Sequence, residues 1–398
     1  MRLRGLILSA AVLTALAVAM AFANDVSGDY VRETAPEPGR AGPAVDALLD
    51  GHLDRFFDVQ PLLGMVSLLW RLPFAALARA AGGDVTAEYQ AGAAGCLLGP
   101  VALGAYLRAR MGQLGRPGPA CWLVAVLCVA NPFTQNALRT GHPEEPLAAA
   151  LAVGAVLAAR RRPLLAGALA GLAAGTKQFA LVVVPVVGAT VVRRRLAAMA
   201  VALAVAAPFL LAGPIGDGDR AATVRADVLD SRIVNEVNLW WPVTNVTVAL
   251  GSESLGTSYG LLPAGLTRGG VAPLVPVVAV VAAFIFWRRG RRWSEQAVGP
   301  ALALLALVLL MRCALDPAQL WYYGIAPFLA ICAWEGLAGP RAVPRVALGA
   351  AAGYAIVFGG LLTRVDESIT SLAYVLVTVP IGVVLARAAF TDPEPPTC

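Results

Sequence analysis

The residues able to do chemistry fall in a few short stretches of the chain. The first is Asn24-Asp25-Val26-Ser27-Gly28-Asp29-Tyr30, followed by Asp46, Asp50, Asp54 and Asp58. A carboxylate held at a fixed point can take a hydroxyl proton as a general base, or hold a metal ion. A second stretch is Asn131-Pro132-Phe133-Thr134-Gln135-Asn136, then Arg139 and Gly141-His142-Pro143-Glu144-Glu145-Pro146. Its acids can orient sugar hydroxyls and its cations can hold a phosphate; the same residues also read as helix caps around a proline-punctuated turn. His142 and His52 are the only histidines, too few to argue for a metal centre. Lys177 is the only lysine among 31 basic residues. Arg312 and Asp316 are spaced i,i+4 and can pair on a helix, and Trp321-Tyr322-Tyr323 follow. Those aromatics can stack on a sugar or form an interfacial belt. Finally, Asp217, Asp219, Arg225, Asp227, Arg232, Asn235, Asn238 and Trp240-Trp241-Pro242 make a polar, aromatic stretch that could cap a carbohydrate.

The elements that must position these residues are not those of a water-soluble protein. Of 398 residues, 58% are apolar and 14% charged, with a mean hydropathy of +0.71; ordinary domains have about 45–50% and about 25%. Apolar runs recur along the chain, each able to cross a hydrocarbon core about 30 Å thick. A soluble enzyme, a disordered chain and a disulfide-stapled secreted domain are excluded. An outer-membrane barrel would need short alternating strands instead. The net charge of +6 does not mark a nucleic-acid binder, because the basic residues sit in clusters between apolar runs. The six cysteines contain no CxxC pair, and they read as small buried thiols.

The fold class expected is therefore an all-α polytopic membrane protein of about twelve transmembrane helices with outer-face loop helices. The first span is 6–23, which ends in a signal-peptidase-like Ala21-Phe22-Ala23 and is retained or cleaved. The others are 88–108, 118–133, 145–159, 163–176, 178–192, 196–214, 271–287, 297–313, 318–336, 346–362 and 368–387. A single catalytic membrane domain over 1–390 is expected, with outer loops at 24–87 and 215–270 and a cytoplasmic tail at 388–398. Residues 61–80 read as an interfacial, partly re-entrant helix, and the acids of 46–58 as one charged helix face. With a cytoplasmic N-terminus, one side receives 18 basic and four acidic residues and the other 13 and 21. The positive-inside rule selects that orientation, with both termini cytoplasmic in the plasma (inner) membrane. The long polar loops, and with them the chemistry, then lie outside the cytoplasm. There Lys177 requires an anionic partner, such as a lipid-linked phosphate at headgroup level, or else snorkels at a hairpin tip.

Taken together, NDVSGDY, NPFTQNALRTGHPEEP, LLAGALAGLAAGTKQFALVVVP and RCALDPAQLWYYGIAPFLAICAWE resemble the GT-C superfamily of membrane glycosyltransferases, most closely glycosyltransferase family 87. The resemblance covers roughly 1–385. It implies a many-helix bundle with a lipid-facing cleft, and transfer of a sugar, a mannose-like hexose, from a polyprenyl-phosphate donor with inversion. The acceptor would be a glycolipid or polysaccharide of the cell envelope. It implies a first-loop acid as base, which maps onto Asp25 or Asp29, with Asp46 third. Lys177, Arg312 and Arg139 are the expected donor-phosphate ligands; His142, Glu144, Glu145, Asp316, Tyr322, Tyr323 and Trp240 would bind sugar or acceptor. No obligatory metal or other cofactor is expected beyond the lipid-linked co-substrate, since a monophosphate leaving group needs less neutralisation than a diphosphate. Two other readings stand beside it: a transporter or flippase, which would place polar groups through both halves of the membrane with repeat symmetry, and a non-enzymatic assembly protein, whose outer acids and Lys177 would not converge.

Overall fold

The computed structural model describes residues 3–24, 41–59, 64–235, 237–244, 247–249, 258–290, 298–339, 343–361 and 365–391. It is 81% helical. The helices are α1 (Leu3–Phe22), α2 (Ala41–Leu49), α3 (Leu53–Val59), α4 (Met65–Ala80), α5 (Val85–Gln113), α6 (Gly118–Val129), α7 (Pro132–Arg139), α8 (Glu144–Ala158) and α9 (Pro163–Thr176). A short 3-10 turn leads into α10 (Val183–Thr190), followed by α11 (Arg195–Gly216), α12 (Gly218–Leu229), α13 (Arg268–Val271), α14 (Leu274–Gly290), α15 (Val298–Leu315), α16 (Ile325–Ala338), α17 (Arg345–Ala355) and α18 (Glu367–Phe390).

Burial sorts these helices into an interior and a girdle. Most positions of α8 and α15 and nearly all of α16 are buried. A helix apolar all round belongs in an interior, and the alanines and glycines of α8 and α9 let backbones approach closely. Around α8 pack α5, α9, α15 and α16, with α1 on α5, α4 on α5 and α9, α11 on α9, and α18 on α15. The outer helices bury one face only and turn leucines and valines outward, for example Leu196, Leu203 and Leu211 on α11 and Leu372 and Leu376 on α18. An apolar surface of that extent makes this a multi-pass membrane protein. Seven helices are long and apolar enough to cross a membrane, among the described residues, where the sequence suggests twelve spans. The shorter apolar helices include Pro163–Thr176, Gln178–Thr190 and Arg345–Leu361; the first two are largely covered by neighbours, so length is not set by a lipid slab alone.

The chain alternates between two ends. At one, arginines gather: Arg108 donates to Ser9 Oγ at 2.6 Å and lies over Trp122, Arg195 lies over Trp287, and Arg289 donates to the Phe390 carbonyl. There Glu335 of α16 also caps α17 by accepting from Val346 and Ala347. The acidic residues and long connections occupy the other end. Two expectations change at this second end. The acids of 46–58 do not share one helix, because Gly51, at a φ of +76°, breaks the stretch into α2 and α3. The described residues of 215–270 are not a plain loop: they include α12 and a small antiparallel sheet of β1 (Ile233–Asn235), β2 (Thr247–Ala249) and β3 (Ser258–Leu261), ordered β1-β3-β2. Ile233 pairs with Leu261 and Thr247 with Gly260.

Candidate active site at the acidic end

The N-P-F-T-Q-N stretch builds a helix start. Asn131 accepts from the Thr134 amide at 2.9 Å and Pro132 takes the first helical position of α7. Gly141, at a φ of +85°, turns the chain out of α7, and the His142 amide returns to the Ala137 carbonyl. Glu144 and Glu145 are thereby delivered to the first turn of α8, where the helix dipole favours negative charge.

Lys177 reaches the same place from α9, whose last residue it follows in extended conformation. The kink is packed tightly against the start of α4: the Gly64 amide donates to the Thr176 carbonyl at 3.1 Å. A Cβ on Gly64 would fall 2.0 Å from the Gly175 carbonyl oxygen, so only glycine fits. From there α4 carries Arg71 inward along Gly92 of α5, where an added Cβ would lie 3.3 Å from the arginine's own Cβ. Arg71 was not singled out by the sequence, which placed 61–80 at the interface; in the structure this side chain is 2% exposed. The signal was an arginine inside an apolar run, a residue that needs an internal partner.

These side chains converge on Glu144. Its Oε1 accepts from Lys177 Nζ at 2.9 Å and meets His142 Nδ1 at 3.0 Å, and its Oε2 accepts from Arg71. Glu145 is equally buried, yet neither of its oxygens accepts a hydrogen bond among the described residues; Lys177 Nζ stands 3.4 Å away. His142 stacks on Tyr322, with ring centroids 4.4 Å apart, and Tyr322 meets Tyr323 edge-on. Arg312 lies over Tyr323 at 3.8 Å and over Phe179 at 4.7 Å, within electrostatic reach of Glu145. It has no ion-pair partner among the described residues. Its expected partner Asp316 instead pairs with Arg268 at 2.9 Å, although the Asp316 amide still donates to the Arg312 carbonyl at 3.2 Å at the end of α15.

The 230–240 segment clamps the turn that follows Arg312. Asn238 donates to the Asp316 and Pro317 carbonyls, Asn235 to the Gln319 carbonyl, and Trp240 Nε1 to the Leu315 carbonyl at 3.1 Å. Trp240 thus fixes the backbone beside Arg312. Arg139 ends α7 and is exposed. Asp46 belongs to a separate group: Arg79 bonds Asp46 at 2.5 Å, Asp50 at 3.1 Å and Glu88 at 2.7 Å. Burial pushes the Asp46 carboxyl above its ordinary range, although Arg79 pulls the other way. Asp25 and Asp29 lie outside the described residues; Asn24, just before them, accepts from Gln135 and Gln90 at this same end.

No group of three or more histidine, cysteine or acidic side chains poised for a metal occurs among the described residues. Cys96, Cys121, Cys128, Cys313 and Cys332 are buried free thiols.

No curated protein matches this chain. Residues 66–317 match the model of glycosyltransferase family 87, a stretch that runs from α4 to the turn after Arg312 and includes Arg71, Glu144, Glu145, Lys177 and Asp316. With more than half its length inside that match, the chain belongs to glycosyltransferase family 87.

Proposed function

We propose that this glycosyltransferase takes its sugar from a polyprenyl-phosphate donor, on the extracytoplasmic side, and that Lys177 and Arg312 receive the donor phosphate. The observation that carries this reading is the unequal state of the two adjacent glutamates. Glu144 is saturated by three donors and holds the cluster together. Among the described residues Glu145 accepts no hydrogen bond, with the ion-paired Lys177 3.4 Å away, and Arg312 is a cation without a carboxylate partner. Such a site can bind a monophosphate on its cations and a sugar hydroxyl on its open carboxylate. The exposed apolar girdle lets the isoprenoid chain stay in lipid while its phosphate enters the acidic end.

In the reaction the bond between the anomeric carbon and the phosphate oxygen breaks as the acceptor oxygen bonds that carbon from the opposite face. The acceptor proton passes to a first-loop carboxylate, Asp29 or Asp25, and the polyprenyl phosphate leaves with the bond's electron pair. Charge grows on the leaving phosphate, where preorganised cations act most strongly. His142, Tyr322, Tyr323, Glu144, Glu145 and Asp316 line or support the sugar and acceptor side, and Trp240 holds the Arg312 turn. A mannose-like hexose as donor sugar, and a cell-envelope glycolipid or polysaccharide as acceptor, follow from the resemblance of the motifs.

Reconstitution tests this. The purified chain in liposomes is given a panel of polyprenyl-phosphate sugars and nucleotide sugars, and products are read by mass spectrometry. Transfer from a polyprenyl-phosphate sugar is expected, and lost in Asp29→Asn with donor binding kept, or in Asp25→Asn if Asp29 is silent. Transfer from nucleotide sugars alone would remove the proposed donor class.

A further inference from the structure

A crevice of about 500 Å³ opens between α5, α8 and α9, lined by Gly99, Ala150, Gly154 and Leu165 and closed by Arg161 and Arg162. This is the size range of ligand sites. It lies at the arginine end, and Gly154 is ten residues along α8 from Glu144, about 15 Å. We propose that it binds an anionic phospholipid, with one acyl chain along the crevice and the phosphate on Arg161 and Arg162.

Three observations select that occupant. The walls are apolar, and Gly154 faces the open space of the crevice: a Cβ there would meet only Leu169, at 3.6 Å. The rim carries exposed Tyr106 and Leu165, which belong to the lipid-facing girdle, so the occupant arrives from the bilayer and not from water. At the polar end, neither the Arg161 nor the Arg162 side chain has a hydrogen-bond or ion-pair partner among the described residues. At the same end Arg108 is engaged with Ser9 and Trp122 and Arg195 with Trp287, and Arg161 and Arg162 are the arginines that line the crevice. Arg162 also precedes α9, whose N-terminus has no side-chain cap and presents the positive end of its dipole. An apolar slot ending in two guanidiniums without partners among the described residues, and a helix N-terminus, complements a phosphate on an acyl chain, and an anionic headgroup better than a zwitterionic one.

The full-length protein, purified in mild detergent, is loaded with phosphatidylglycerol or phosphatidylcholine and read by native mass spectrometry. One retained phosphatidylglycerol is expected, with a preference over phosphatidylcholine of roughly 30-fold if each arginine adds its usual headgroup attraction. Arg161→Gln with Arg162→Gln should bring that preference near unity. Gly154→Leu, which fills the slot, should reduce retention of both lipids at least tenfold while sugar transfer persists. Equal retention of the two lipids by the unaltered protein overturns the proposal, as does unchanged retention in Gly154→Leu. If the glutamine pair fails to fold, Arg161→Lys with Arg162→Lys decides: it keeps the charges and should keep most of the preference, and loss of all preference in a folded lysine pair counts against a phosphate contact.

Discussion

Arg71 and Arg79 stand eight residues apart on α4, about 12 Å along its axis, and each gathers carboxylates at the acidic end. Arg71 meets a fully buried glutamate that His142 and Lys177 also hold. Arg79 meets Asp46, Asp50 and Glu88 with about a third of its side chain and half of each aspartate in contact with solvent. The same residue type on the same helix thus makes two different things. In the buried group every charge depends on a partner, because water cannot replace one. In the Arg79 group water reaches the arginine and both aspartates, so those two pairs fix the α2–α4 packing with little at stake, and only Glu88, 7% exposed, depends on the arginine. Chemistry on a charged lipid-linked donor needs the first kind, where fixed charges act in a poorly screened setting.

The largest effect should come from breaking the buried group. Arg71→Met keeps an apolar stem but leaves Glu144 Oε2 without its donor, and about 3–5 kcal/mol of stability should be lost. Thermal unfolding in detergent, followed by tryptophan fluorescence, measures it. A loss no larger than that of Arg79→Gln would erase the contrast. Arg312→Gln comes next and separates function from folding. Since Arg312 has no ion-pair partner among the described residues, stability should change little, while transfer falls by about 10²–10³-fold and donor binding weakens. Lys177→Met should lose a similar factor in transfer and also some stability, because its ammonium bonds Glu144. Single-turnover transfer and donor affinity on both variants test the division. Unchanged donor affinity in both would detach the phosphate from these cations.

A smaller effect distinguishes the two glutamates. Glu145→Gln should leave unfolding within about 1 kcal/mol and cost transfer about 10–100-fold, the worth of a charged hydrogen bond to a sugar hydroxyl. Glu144→Gln removes the charge that three donors share, so its loss should appear first in stability. If the two variants behave alike, the distinction between a structural and a ligand-facing glutamate fails.

Much of this architecture was legible in the sequence because hydrophobic length and charge asymmetry are one-dimensional signals. The motif around Asn131 to Pro146 and the solitary Lys177 were likewise visible, since a buried ammonium demands a partner. What was not legible depends on which face a helix buries. Residues 61–80 look interfacial because Arg71 and Arg79 both interrupt the run; only the packing of α4 against Gly92 and the α9 kink shows that one arginine goes in and the other stays out. The Asp316–Arg268 pair was hidden for a similar reason, as it joins residues 48 apart through the fold of the 215–270 region. That region's sheet is three short strands, too brief for alternation to announce it.

The smallest effect on transfer belongs to the Arg79 group. Arg79→Gln should leave transfer within about twofold and cost about 1–2 kcal/mol, most of it from the buried Glu88, since the two aspartate pairs are screened by solvent. Its pH dependence carries the sign of Asp46. That carboxyl is raised in the folded protein by burial, against the pull of Arg79. A raised acid favours the folded state at pH values below its unfolded pKa, and that contribution disappears as pH rises through the folded pKa. Removing Arg79 takes away the cation that offsets burial, so Asp46 should titrate still higher in the variant. The stability gap between Arg79→Gln and the unaltered protein should therefore widen from acid toward neutral pH, and should narrow when Asp46→Asn is added to both, leaving the share due to Asp50 and Glu88. A gap that ignores pH would mean the Asp46–Arg79 contact is not ionic. Abolished transfer in a stable Asp46→Asn protein would be more consequential: the exposed group would then hold the base, and the division of labour along α4 would be reversed.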